Sequence, residues 1–230
     1  MEAWCFRVSI VFLSKLLNMK LPLFPLQSVF YPGETVPLHI FEERYKQLIN
    51  DCRKEALTFG IPVFIDNGIK FGTEVQLVEV VNTYPNGEMD VVCVARQIFK
   101  VRSYERQMQG KLYGGGEVVF LDMENDASDE LRLEVLQKVE ELYDLMDVPF
   151  TKTPPKQFNS YSLAHKMGLS FHQEYELLQM RRESDRLRFI KSHLEATAHV
   201  LTEVNRTKTV IEMNGHFKNF DPLDFPDFKI

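Results

Sequence analysis

The stretch Leu21-Pro-Leu-Phe-Pro-Leu-Gln-Ser-Val-Phe-Tyr-Pro-Gly-Glu-Thr-Val-Pro-Leu-His-Ile-Phe-Glu-Glu-Arg-Tyr45 reads as strand, turn, strand and helix start. Pro32-Gly33 supplies the turn, with proline presetting φ and glycine free to take φ > 0. Pro22, Pro25 and Pro37 cannot donate to a sheet ladder, so they predict strand edges or bulges. After Ile40 the apolar period changes. Phe41, Tyr45, Leu48 and Ile49 recur at helical spacing, and a helix is expected over 42–56 with Cys52 on the same face.

Working outward, residues 19–123 predict a mostly β segment. Strand candidates are 21–27, 36–40, 59–65, 73–84, 88–104 and 111–121. Pro85-Asn-Gly87 between two apolar runs is a hairpin signature. The fifth candidate is too long for one flat strand, so a bend or bulge is expected near 95–97. Six strands and one helix fit a small β-barrel plugged at one end by that helix.

From Glu124 the pattern turns helical, and residues 124–213 predict a helical subdomain. Leu131, Val135, Leu136, Val139, Leu142 and Met146 form one stripe, with Asp126 and Ser128 as capping candidates. Residues 152–155 read as a linker and 161–167 as a short helix stopped by Gly168. Ser170-Phe-His-Gln173 is a capping box opening a helix over 171–179. A last helix starts at Ser184 or Asp185 and runs to about Glu203, with Leu187, Ile190, Leu194, Leu201 and Val204 as its seam. Asn214-Gly215 should close it. Residues 214–230 form an aromatic tail, Phe217, Phe220, Phe225 and Phe228, expected to pack on its own subdomain. Residues 1–18 are expected to be a poorly ordered extension, with Met19 as an alternative start.

Composition narrows the function classes. The chain has 230 residues, 44% hydrophobic and 26% charged, with net charge −6. That balance argues against a binder of phosphate backbones, which usually carries a basic stripe. Residues 1–122 hold 13 lysines and arginines against 14 acids, and the rest hold 14 against 19. Within the helical half, 124–147 is acid-rich and 181–191 base-rich, which predicts solvated faces or helices with complementary rims. Cys5, Cys52 and Cys93 have neither disulfide nor zinc spacing and suit a reducing cytoplasm. Cys93, in Val91-Val-Cys-Val94, reads as a buried small hydrophobe. The apolar run at 8–13 falls far short of the roughly 20 residues a membrane span needs.

In its order, L-P-L-F-P-L…V-F-Y-P-G…P-L-H-I-F-E-E-R-Y closely resembles the opening of the Lon protease N-terminal substrate-binding domain. Gly168-Leu-Ser-Phe-His-Gln-Glu-Tyr-Glu-Leu-Leu178 and Ser184-Asp-Arg-Leu187 resemble that family's helical part. The sequence departs at Ala95 and Ile98, where the family pattern has glycine and arginine. The resemblance covers about residues 20–205. It implies an α+β fold, a six-stranded PUA-like barrel with one helix followed by a helical bundle. It also implies a non-enzymatic recognition module for unfolded or apolar polypeptide, working in the cytoplasm in protein quality control or regulated proteolysis. Any ATP-dependent protease partner would lie on another chain.

A search for chemistry agrees. No G-x-x-x-x-G-K-[ST] phosphate loop and no H-E-x-x-H pair occur, and no segment resembles the Lon serine–lysine site. No catalytic residue, cofactor or metal is expected. Glu42 reads as a helix N-terminal acid, Arg44 as a partner for strand carbonyls, and His39 as exposed or hydrogen-bonded. Phe24, Phe30, Tyr31 and Phe64 are the candidate peptide-binding aromatics. Two alternatives remain open, an RNA-binding PUA-like protein and an uncharacterised hydrolase. The sequence sets no oligomeric state.

Overall fold

The computed structural model describes residues 19–151 and 153–217. The readings for the 1–18 extension and for the aromatic tail from 218 lie outside the described residues. The described residues form two compact units, one from 19–125 with 163–183 and one from 126–162 with 184–217. Leu163–Glu183, read from sequence as part of a helical subdomain, therefore belongs with the barrel.

The first unit contains six strands, β1 Met19–Leu23, β2 Thr35–Ile40, β3 Thr58–Ile65, β4 Gly68–Thr83, β5 Met89–Val101 and β6 Gly114–Phe120. Strands β1, β3, β4, β5 and β6 close a ring, because β5 pairs with β6 as well as with β4. β2 stays outside the ring and pairs with β5 alone, in the order β2-β5-β4. The expected six-stranded barrel is thus a closed five-stranded barrel with an added strand.

One irregularity makes this possible. Thr73 and Val75 of β4 face Ile98 and Ala95 of β5, so β5 carries one extra residue between them. This is the bulge expected near 95–97. Before it, β5 offers the edge away from β4 to β2, from Met89–Ile40 to Val94–Thr35. After it, the same edge serves β6 through Phe99–Phe120 and Val101–Val118.

The prolines sit differently from expectation. Pro37 lies on an outer strand, as read. Pro22 lies in β1, which has neighbours on both sides. It is tolerated there because the parallel pairing with β3 starts only at Leu23–Gly60, after the residue that lacks a donor. Strand β4 begins at Gly68, five residues earlier than expected. Asp66 and Asn67 both take positive φ, 51° and 58°, and join β3 to β4 in a two-residue turn that suits a twisted hairpin.

Helix α1, Glu43–Glu55, buries Tyr45, Leu48, Ile49 and Cys52. These pack with Phe24, Val36, Ile40, Phe59, Ile61, Val75, Met89, Val91 and Cys93. Phe24 stacks on Tyr45 with ring centroids 3.7 Å apart. A second cluster of Leu21, Leu23, Phe99 and Val118 fills the rest of the ring. Helix α1 thus covers the inner face of the β2–β5–β4 region.

The second unit contains α2, Asp129–Leu145, and α4, Glu183–Phe217, of which Ser184 onward belongs here. Ser128 caps α2 by accepting from Leu131 N–H. Asp126, also read as a cap for α2, instead accepts from the backbone N–H and hydroxyl of Ser184 at 2.9 and 2.8 Å. Buried side chains of the α2 stripe are Val135, Leu136, Val139 and Leu142. In α4 the buried seam is Leu187, Ile190 and Leu194, while Val204 is exposed, so the expected seam ends early. The helix also runs through Asn214-Gly215 rather than stopping there. The charge reading changes as well. Lys191 does pair with Glu134 at 2.9 Å, but Arg132 and Arg186 are buried. Arg132 donates to the Phe158 carbonyl and Arg186 to the Ser160 hydroxyl, which anchors the 158–161 segment.

The barrel's closeness of packing is testable at Gly72, where a Cβ would collide with the backbone of Ile61 and Pro62. Gly72→Ala should cost about 1–3 kcal/mol in urea unfolding. Gly68→Ala, whose Cβ meets only the Ile65 carbonyl at 3.9 Å, should stay within about 0.5 kcal/mol.

Candidate functional site

The four aromatics singled out from sequence do not form one open surface. Phe24 and Tyr31 are buried, Phe30 is half-buried against the main core, and Phe64 is 42% exposed beside the β3–β4 turn. Phe24 and Tyr31 serve packing, the ordinary use of aromatics on short strands.

Tyr31 belongs to a polar clamp. Its backbone N–H donates to Glu34 at 2.9 Å and its hydroxyl to the Glu174 carbonyl at 3.0 Å. His165 sits against the Tyr31 ring, centroids 5.0 Å apart, with Nδ1 2.7 Å from Glu174 and Nε2 3.2 Å from Glu34. His165 lies in the 3₁₀ segment Ser160–Lys166, and Glu174 in α3, Phe171–Gln179, opened by the Ser170–Gln173 capping box. The Glu34 hydrogen bond, against some desolvation and aided by Glu174, raises the imidazole pKa to about 9. Its role is to fasten 163–183 to the loop before β2.

A second polar group ties α1 to the β5–β6 connection. Lys111 and the Tyr113 hydroxyl donate to one Asp51 oxygen at 2.7 and 2.8 Å. The Lys111 bond holds the Asp51 carboxyl below its usual value. Burial first, then Asp51, pushes Tyr113 up to about 12. Burial likewise pushes the Cys52 and Cys93 thiols up to about 12, which leaves neither as a nucleophile at neutral pH. No group of histidine, cysteine and carboxylate side chains among the described residues could hold a metal ion.

The open surface lies elsewhere, on an arm formed by β2, the first half of β5 and the second half of β4. Its inner face carries Val36, Ile40, Met89, Val91 and Cys93 against α1. Its outer face carries Pro37, His39 and Phe41 beside half-buried Asp90, Val92 and Val94. Phe41 is 59% exposed, Tyr84 38%, Val78 61% and Val81 59%. His39 Nδ1 lies 2.7 Å from Asp90, the Tyr84 hydroxyl donates to Asp90 at 2.6 Å, and Glu88 stands 3.4 Å from His39. The Asp90 hydrogen bond raises the His39 pKa above its ordinary value. Beneath the arm, Cys52, Arg53, Ala56 and Leu57 of the α1 end and residues 76–80 border a groove of about 400 Å³. Sequence reading placed His39 as exposed but missed this surface. The signal was there in the alternation of Pro37, His39 and Phe41. Arg44, expected on strand carbonyls, bonds Glu42 at 2.8 Å and lies over the Tyr45 ring.

A closed barrel with an added strand, a plugging helix, a capped short helix and a long final helix defines the Lon N-terminal fold. Residues 20–196 match the ATP-dependent protease La (LON) substrate-binding domain, and the chain belongs to that family. Among solved structures, a Lon N-terminal domain protein from Xanthomonas campestris is similar at 27% identity and TM-score 0.55, over 74% of this chain and 95% of that one. The N-terminal domain of Mycobacterium avium complex Lon protease shares the fold at 15% identity and TM-score 0.57, over 77% and 98%. No curated protein matches the chain. No helix among the described residues is long and apolar enough to cross a membrane.

The clamp predicts a pH dependence. A pKa raised from 6.5 to about 9 contributes stability that is fully present below about pH 6.5 and lost as pH rises through about 9. With the imidazole 40% exposed, screening reduces this to about 1 kcal/mol. The stability difference between wild type and His165→Gln should therefore shrink from neutral to alkaline pH. A difference that stays constant across that range would contradict the clamp.

Proposed function

We propose that this chain is a non-enzymatic recognition module. It binds unfolded or apolar polypeptide segments and hands them to a separate ATP-dependent protease in the cytoplasm, as part of quality control or regulated proteolysis. The observation that carries this reading is the match to the substrate-binding domain across the barrel and the helices through residue 196. The absence of a phosphate loop and of a serine–lysine site anywhere in the 230 residues supports a binding rather than a catalytic role. The two thiols pushed to about 12 support it further. Exposed Phe41, Tyr84 and Phe64 are apolar surface available to a polypeptide, with Phe30 at the margin. Phe24 and Tyr31 contribute by holding the elements around them.

Calorimetry with a reduced, unfolded model protein tests the reading. Binding with a dissociation constant below about 100 µM is expected, with no ATP hydrolysis and no cleavage of the bound chain. A folded sample that binds no unfolded protein would refute substrate recognition. ATP turnover abolished by a point mutation would refute the non-enzymatic assignment.

A further inference from the structure

The outer face of the arm combines exposed apolar side chains with a one-sided charge. Residues 76–95 hold Glu79, Glu88 and Asp90 and no lysine or arginine, and residues 35–41 add only His39. The cations at the margins are Arg96, bonded to Gln76, and Lys46, bonded to the Asn86 carbonyl and to Glu43. The register sets these groups in rows across the sheet. Pro37, Val92 and Glu79 form one row, and His39, Asp90 and Asn82 the next. Phe41 and Tyr84 stand beyond the second row, each near the His39 ring at 6.2 and 6.0 Å. The face is therefore an apolar strip, rimmed by aromatics and crossed by carboxylates.

We propose that this outer face docks a basic, apolar polypeptide segment, which rests on the substrate-recognition reading above and names the class of segment recognised. Charge complementarity selects that occupant. An acidic segment would meet three carboxylates, offset only by His39 and by Arg96 at the base of the arm, where it bonds Gln76, and nucleic acid would meet the same net repulsion. A segment with lysine or arginine beside leucine or phenylalanine matches both features. Its apolar side chains lie against Phe41, Val92 and Val81, and its cations reach Glu79 and Glu88 or the faces of Phe41 and Tyr84.

The backbone edge of β4 is the weaker alternative. Over 77–83 it has no second partner strand among the described residues. However, its register with β5 shifts between Leu77 and Glu79 and again between Val80 and Asn82. Two bulges so close together break the regular ladder that strand addition needs. Side chains, not the edge, carry the recognition.

The test uses the full chain and labelled peptides built from leucine, phenylalanine and lysine, a second set with glutamate at every lysine, and a third with serine at every apolar position. Fluorescence anisotropy should show the first set binding about tenfold or more tighter than either other set, with the preference over the glutamate set weakening as salt is added. Phe41→Ser should weaken binding of the first set. Glu79→Lys with Glu88→Lys should reverse the preference for charge, and circular dichroism checks that each variant folds. Val204→Ser, at an exposed position elsewhere, should leave binding unchanged. If lysine and glutamate sets bind equally, or if Phe41→Ser and the charge reversal change nothing, the arm is not the docking face and the proposal falls, while polypeptide recognition stands. If no peptide and no unfolded protein binds, recognition itself falls.

Discussion

The extra residue that β5 carries between Ala95 and Ile98 governs the rest of the first unit. A strand edge can feed only one ladder at a time. By bending at this point, β5 gives the first half of its edge to β2 and the second half to β6. Ring closure and the arm are two results of one bend. The transition is sealed by backbone bonds, with Gly33 N–H donating to the Ala95 carbonyl, Ala95 N–H to the Glu34 carbonyl, and Leu121 N–H to the Ile98 carbonyl. Arg96 and Gln97, the two residues in the bend, are exposed, while the residues on either side are buried and hold the bend in register.

The arm in turn has two unequal faces. Helix α1 takes the inner one, where Val36, Ile40, Met89, Val91 and Cys93 meet Tyr45, Leu48, Ile49 and Cys52. The outer one keeps proline, valine and aromatic side chains in view with carboxylates among them. A monomeric fold gains nothing from leaving Phe41 and Tyr84 in water, so their exposure fits a surface kept for a partner. The polar groups elsewhere point the other way. Asp51 with Lys111 and Tyr113, and His165 with Glu34 and Glu174, are each satisfied within the fold and act as fasteners.

Much of this was legible because prolines, glycines and apolar periods agree along the chain. All six strands and the helices at 43–55 and 171–179 follow from that punctuation. The β3–β4 turn was missed although Asn67-Gly68 is a turn dipeptide, because Gly68-Ile-Lys-Phe-Gly72 shows little of the alternation that marks a returning strand. Helix α4 outran its expected end because one asparagine and one glycine cost only about 1 kcal/mol each against ongoing helix propagation. Arg132 and Arg186 sit in charged runs, and nothing local distinguishes a buried arginine from its solvated neighbours. The burial of the singled-out aromatics was hidden for a similar reason. Whether Tyr31 or Phe41 faces water depends on which face α1 and the 163–183 segment cover, and that is a tertiary fact.

The return of Leu163–Glu183 to the barrel bears on how the chain matures. Tyr31 and Glu34 emerge early in synthesis, yet their partners Glu174 and His165 follow 143 and 131 residues later. Closure of the ring by β1 on β6 likewise waits for Val118 to meet Met19. Such distant pairings are slow to form. Until they do, the nascent barrel presents its own apolar strands to the surrounding solvent. A member of a substrate-binding domain family thus passes through a stage in which its own apolar strands stand uncovered.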